Sequence, residues 1–455
     1  MKLPCARLIP ACFILALPGA ALSAEVSVDA TSIVRFEQRA DQGVSKKDIV
    51  PATQFLGLDV NKLGDGNLSL HLYGWGRYDL ADKSYNNDQA AGQLTYGYLQ
   101  YRFKEANANI RAGRFFVHEG IVNEQIDGIS LRTDLPLGFG FSGFAGANVH
   151  THDLYRENTD GKGDGNFGGR LSYRYKGVLE LGVSGQYETD APSLNSMLDD
   201  GVTRRYSNGD HRMVGGDVWF SPHKSVEITG HTSYNTVTKG VAEHSYLMNI
   251  KPLKHLVLTG EYNDHRERNY MYTWVSFNKT LDLNNPNNRS HSVGGSAFYE
   301  FSKAVGVTAD YKHYTQETGN ADRYGGEVKL SFLDNSVRSG LGYHYLRAGR
   351  QFAISGTGNA SASYHELRAY AMHDTKTYFA AVDVIDYIFK DKVYGVKDAW
   401  EAMASLGYHL TPKLAVSGDF SYGKNPQFDE EVKGLVRLTY NGNFNVFENS
   451  KGGMK

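Results

Sequence analysis

Six charged side chains follow one another closely in a single stretch of this chain: Arg102, Arg111, Arg114, Glu119, Glu124 and Asp127. The residues around them alternate between polar and apolar. A rigid guanidinium fork beside carboxylates can orient ions and polar solutes without any bond being made or broken. Farther upstream, His71, Tyr73, Trp75, Arg77 and Asp79 occupy every second position, with Leu70 and Leu72 between them. If the stretch is extended, that spacing puts an apolar face on one side and titratable groups, including Arg77, on the other. Gln100 with Arg102, Glu180 with Gln186, Glu227 with His231, and Glu261, Asp310 and Asp419 fall on the polar side by the same reasoning. No one sign dominates, so the pattern describes a solvated wall with weak ion selectivity.

Reactive constellations are lacking. There is no nucleophile elbow or phosphate-binding loop, and His118-Glu119 lacks the second histidine of a zinc-protease motif. His150 and His152 stand beside Asp153 without a third nearby ligand. Asp160 to Asn166 resembles a calcium loop but has no third-position ligand and no closing glutamate. The chain therefore reads as a protein that is not an enzyme, with no catalytic residue, no metal and no cofactor.

The elements that hold these residues are strands. Asn249 to Tyr262 contains the repeating unit: a strand ends at Ile250, a tight turn follows, and Leu256, Leu258, Gly260 and Tyr262 then share one face. Copies begin after Tyr175, Phe220, Phe301 and Leu410, and in four of the five an aromatic residue lies six positions beyond the first apolar one. At a rise of about 3.4 Å per residue and a tilt of about 40°, six residues climb roughly 16 Å along a barrel axis. An aliphatic band capped by aromatics suits the edge of a membrane. A soluble β-repeat protein would show the same alternation, and the connections separate the two. Long polar segments, among them 118–124, 189–211, 265–289 and 389–398, take turns with tight ones such as 104–108, 176–178 and 251–255. An up-and-down barrel with both termini on one side requires that parity.

About 22 strands, in a range of 18–24, fit between Glu25 and Phe447. The expected fold is all-β: a transmembrane antiparallel up-and-down barrel over 25–447, with a polar tail at 448–455. Residues 1–24 read as a signal peptide, with Lys2 and Arg7, an apolar run from Leu8 to Leu17, and Ala21-Leu22-Ser23-Ala24 at its end. The first strand follows so closely that no plug domain is expected. Cys5 and Cys12 are the chain's two cysteines, so the exported part contains no disulfide, thiolate site or covalent haem attachment. The chain has 50 Gly, 30 Tyr and 22 Phe but 11 Pro, and its mean hydropathy is −0.45. No basic excess points to nucleic acid: 48 Lys and Arg stand against 50 Asp and Glu.

Leu99-Gln100-Tyr101-Arg102-Phe103, a short turn, and then Ile110-Arg111-Ala112-Gly113-Arg114 resembles the strand–turn–strand "GRQ" element of general bacterial porins and alginate-export-type barrels. Phe115 stands where those families have glutamine, and no P-E-F-x-G constriction motif occurs. The resemblance implies a porin-like barrel in a Gram-negative outer membrane. It gives Arg114, with Arg111, a place on a basic lumen wall.

The expected function is passive passage of ions and small polar solutes through an outer-membrane channel. A 22-strand barrel has a backbone diameter of roughly 45 Å, so something must narrow it. Tyr270, Tyr272, Trp274 and Phe277 form an apolar loop cluster that could fold inward, or stay external and pack on itself or on a neighbouring subunit of a homo-oligomer. Glu119, Glu124 and Asp127, at the outer end of their hairpin, could form an acidic mouth or be ordinary solvated loop carboxylates. The alternative is a sheath around a partner, as in porin–cytochrome conduits for extracellular electron transfer, where a barrel encloses a multihaem cytochrome.

Overall fold

A computed structural model describes residues 24–41, 47–81, 89–149, 165–189, 193–197, 203–207, 211–237, 239–266, 289–316, 319–349, 363–393, 395–426 and 428–446. Its strands are β1 Ala24–Asp41, β2 Lys47–Ile49, β3 Pro51–Leu63, β4 Leu68–Asp79, β5 Ala90–Phe103, β6 Ala108–Glu119, β7 Val122–Asp134, β8 Phe139–Asn148 and β9 Asn166–Tyr175. They continue as β10 Leu179–Glu188, β11 Ser193–Met197, β12 Thr203–Ser207, β13 His211–His223, β14 Val226–Asn235, β15 Gly240–Leu253, β16 Leu256–Arg266 and β17 Arg289–Ser302. The last are β18 Val305–Gln316, β19 Gly319–Phe332, β20 Val337–Ala348, β21 Tyr364–Asp374, β22 Tyr378–Val393, β23 Val396–Thr411, β24 Leu414–Lys424 and β25 Phe428–Val446.

One 23-stranded sheet contains all of these except β11 and β12, which pair with each other. Within it, β2 and β3 are a single strand interrupted at Val50, and both pair with β1. The wall therefore has 22 strands, each antiparallel to its neighbours. β1 closes the ring on β25, with Ala24 opposite Val446 and Asp41 opposite Phe428. Closure leaves no terminal edge strand, as a chain crossing lipid on strands requires. Among the described residues no separate domain occupies the lumen.

Alternation sets the two faces. On β10, Leu181 and Val183 are 46% and 69% exposed, while Ser184 and Gln186, on the opposite face by parity, are buried. Burying apolar surface is worth roughly 25 cal/mol per Å², so an aliphatic band left this open is covered by hydrocarbon in its working state. Aromatics border the band: Phe167 stacks on Tyr187 at 5.0 Å on the outer face of β9 and β10. Glu180, Gln186, His231, Glu261, Asp310 and Asp419 lie on the opposite side of their strands, as alternation predicts.

Connections at one end are tight, as at 64–67, 104–107, 176–178 and 224–225. Several connections at the other end are shorter than the sequence suggests, among them 316–323, where β18 ends at Gln316 and β19 begins at Gly319. Segment 389–398 is not a loop, because β22 and β23 run on to Val393 and from Val396. Segment 118–124 collapses to a two-residue turn at Gly120-Ile121 between β6 and β7.

Candidate functional site

The β6–β7 hairpin leaves the barrel wall. β5 continues to Ala90, yet its pairing with β6 stops where Gly97 meets Arg114. Residues 115–119 pair with β7 alone, as far as Glu119 opposite Val122. Gly113 stands at the departure point with φ +126°, where an added Cβ would lie 2.3 Å from the Gly97 carbonyl oxygen. Only glycine tolerates that conformation and that approach.

One ion pair gives the direction of the bend. Glu119 Oε1 is 3.6 Å from Arg132 Nη1, although Arg132 lies opposite Asn109 in the ladder. A straight hairpin would separate them by ten residues, about 33 Å. The hairpin must double back so that its tip returns toward its own foot. Its tip meets β10, where the Ile121 N–H donates to Ser184 Oγ at 3.2 Å. Gln186 Nε2 donates to Glu124 Oε1 at 3.4 Å. Ser184 and Gln186 lie on the polar face of β10, so the tip is inside the lumen. Gly120 (φ +62°) fits against that wall without room to spare, since a Cβ there would be 2.5 Å from Ser184 Oγ.

Apolar contact holds the folded half. Phe115, Val117, Val122, Ile126 and Phe144 of β8 form a buried cluster with Tyr98 and Ile121 packed on it. Phe115 and Ile126 are fully buried, which is unusual for a barrel interior. The remaining face of the hairpin, with Arg114, Phe116, His118, Gln125 and Asp127, turns away from that packing by alternation. There Arg114 grips Asp127 with both forks, Nε to Oδ1 at 2.8 Å and Nη2 to Oδ2 at 2.7 Å. Its Nη1 donates to the Leu94 carbonyl at 3.1 Å, and Gln125 donates to the Thr95 carbonyl. These bonds tie the hairpin to the part of β5 it no longer pairs with.

Below the tip lies a cavity of about 370 Å³ lined by Glu119, Arg132, Ser142, Arg170 and Arg174, among others. Arg170 binds Asp217 (2.5 Å) and Glu180 (3.0 Å), and Arg174 binds Glu180 at 2.9 Å. On other strands of the wall, Arg323 bridges Asp310 (3.0 Å) and Glu366 (3.3 Å), and Lys312 meets Glu261 at 2.7 Å. Opposite charges at hydrogen-bonding distance cancel most of each other's field a few ångströms away.

The predicted charged residues divide into two groups. Arg111, Arg114, Glu119, Glu124 and Asp127 come together in the hairpin, with the Arg111 guanidinium 5.2 Å over the Phe115 ring. Arg77 stays on β4 with its Nε 3.7 Å from Asp79, and Arg102 sits near the tight turn that ends β5. The carboxylates stand on β6 and β7 rather than in a loop, and Glu119 and Asp127 are each paired with an arginine. The turn that carries Glu119 and Glu124 is folded in, and Asp127 is matched by Arg114. Tyr270, Tyr272, Trp274 and Phe277 lie outside the described residues, as do residues 1–23 of the 1–24 signal segment, His150, His152 and the tail. Sequence reading missed Arg132, Arg170, Arg174 and Ser184 as neighbours of the hairpin. One signal was available: Phe115-Phe116-Val117 breaks alternation and puts apolar residues on both faces, as a doubly covered strand does.

No known protein family matches the chain, and neither does any curated protein. Among solved structures it is similar to the ferric enterobactin receptor PfeA of Pseudomonas aeruginosa in complex with BCV-L6. That match has a TM-score of 0.55 and 10% identity, covering 91% of this chain and 81% of that one. OccAB4 of Acinetobacter baumannii matches with a TM-score of 0.45 and 11% identity over 94% of this chain and all of that one. At such identities the likeness is one of fold.

Proposed function

We propose that this protein is a passive channel of a bacterial outer membrane for ions and small polar solutes, narrowed by the β6–β7 hairpin. The observation that carries the reading is the hairpin folded against the lumen wall. A 22-strand ring alone is too wide to discriminate among solutes, and an inward element anchored by apolar packing supplies a fixed constriction. Arg114 and Asp127 face the open side of that element, so solutes pass a neutral clamp rather than a basic wall. The GRQ-like resemblance agrees with a lumen position for Arg114, but the bidentate pair gives it a role in width more than in charge. A sheath around a cytochrome gains no support from the fold, because the hairpin already takes up part of the lumen.

The test is planar-bilayer recording of the full chain refolded in detergent. Stepwise conductance is expected. Replacing 115–126 by a two-residue turn should raise the single-channel conductance. A silent bilayer, with folding verified by a strand-dominated circular dichroism spectrum, would count against the channel.

A further inference from the structure

Beside the hairpin's foot, the lumen face of β3, β4 and β5 carries an aromatic strip that the constriction does not use. Tyr73 stacks on Tyr96 across the β4–β5 ladder, with centroids 5.5 Å apart and planes 20° from parallel. His71 stacks on Tyr98 at 4.9 Å and 27°, and Tyr96 lies 5.9 Å from Tyr98. The strip is on the inside: Leu56 and Leu99, at intervening positions on the flanking strands, are the exposed outward residues. Tyr98 also touches Phe115 edge-on, which joins the strip to the hairpin.

Two features make this a presented surface rather than ordinary filling. Gly57 lies beneath Tyr73, and a Cβ there would sit 3.2 Å from Tyr73 Cδ2. Glycine lets the ring lean flat on the wall. The four aromatic side chains are partly exposed rather than buried. His71 is fixed at both nitrogens, Nδ1 to Asp59 Oδ1 at 2.5 Å and Nε2 to Ser69 Oγ at 2.9 Å.

We infer that this strip is a binding site for neutral saccharides on their way through the lumen. A pyranose ring has an apolar C–H face and a rim of hydroxyls. Tyrosine offers the complement, an apolar ring face with a polar tip, and good small-molecule sites combine such surfaces with a few placed polar groups. Here those groups are the tyrosine hydroxyls along the strip. An organic cation could also sit over aromatic faces, but it would need a carboxylate of its own, and Asp59 is engaged by His71. Successive rings along two strands let an oligosaccharide pass from one platform to the next. The inference deepens the channel reading and rests on it for the solute's route.

The experiment joins a binding measurement to a transport measurement. Cellotetraose, a flat ribbon of equatorial sugars, is titrated calorimetrically into the detergent-solubilised full chain and added to single channels in a bilayer. Saturable binding and brief current interruptions are expected, with neither seen for a polyethylene glycol of the same length. Tyr73→Ala should weaken binding about tenfold, and Tyr73→Phe should keep it within about threefold because the ring face is retained. A conducting channel that binds no cellotetraose overturns the site alone. Tyr73-dependent binding in a protein that never conducts keeps the site and overturns the channel. Binding of tetraethylammonium in place of the sugar would reassign the strip to cations and refute the proposal.

Discussion

Arg114 and Asp127 show how a single residue-level contact would set what a solute meets in the proposed channel. A bidentate guanidinium–carboxylate pair is directional as well as strong, and removing one partner exposes the other's charge. Arg114→Ala should therefore leave Asp127 unmatched at the constriction. The expected outcome is a reversal potential in a KCl gradient that moves toward cation selectivity, with about 1.5–3 kcal/mol lost from the local hydrogen bonds. Arg114→Lys retains the charge without the fork, so its selectivity should stay near the parent's while the current becomes noisier. At the tight turn 64–67, Tyr101 donates a hydrogen bond to Asp65 at 2.7 Å. That bond, with help from Asn67, holds the Asp65 carboxyl below its ordinary value. A depressed folded value contributes stability that is present above the unfolded pKa, about 3.9, and disappears as pH falls through the folded one. Tyr101→Phe should thus change the unfolding midpoint above about pH 4 and converge with the parent in stronger acid.

At the scale of elements, the hairpin behaves as a small domain inside the barrel. Its buried cluster should respond like any core: Phe115→Ala should cost about 3–5 kcal/mol. The loss should fall on the hairpin's attachment rather than on the ring, because the wall keeps its own ladders. Larger, fluctuating conductance with unchanged strand content is the expected result, and an unchanged trace would separate the cluster from the constriction. The sequence was informative about faces here and silent about direction. Alternation placed Glu180, Gln186 and Asp310 on the polar side because side-chain parity survives any curvature of a strand. It could not reveal that β6 leaves β5 after Arg114, because a bend changes neither parity nor composition. Gly113 was read as part of a motif, and Phe115, which opens the run Phe115-Phe116-Val117, as a departure from it. Together they mark a strand that turns and is covered on both sides.

For the molecule as a whole, the barrel was legible because closure makes demands that recur along the chain: an apolar outer row, an aromatic cap on most copies of the unit, and turns sorted by side. Loop lengths were less legible, since 389–398 reads as polar yet continues β22 and β23 as paired strand. With most described lumen charges paired, the parent channel should show a reversal potential close to zero in a tenfold KCl gradient. Strong selectivity of either sign would mean that charges outside these pairs govern the current.

The central claim is that the tip of the β6–β7 hairpin rests on β10 inside the lumen. A chain beginning at Glu25 has no cysteine, so a pair can be introduced cleanly. Glu124 of the hairpin and Gln186 of β10 meet across the contact, with Gln186 Nε2 3.4 Å from Glu124 Oε1, so cysteines at these two positions lie within reach of a short dithiol-reactive cross-linker. The double variant Glu124→Cys/Gln186→Cys should therefore be joined by a short bis-maleimide, as read by peptide mass, and keep the parent's conductance. Failure to cross-link in the folded protein, or a conductance that falls sharply when the bond forms, would place the hairpin elsewhere and contradict the account.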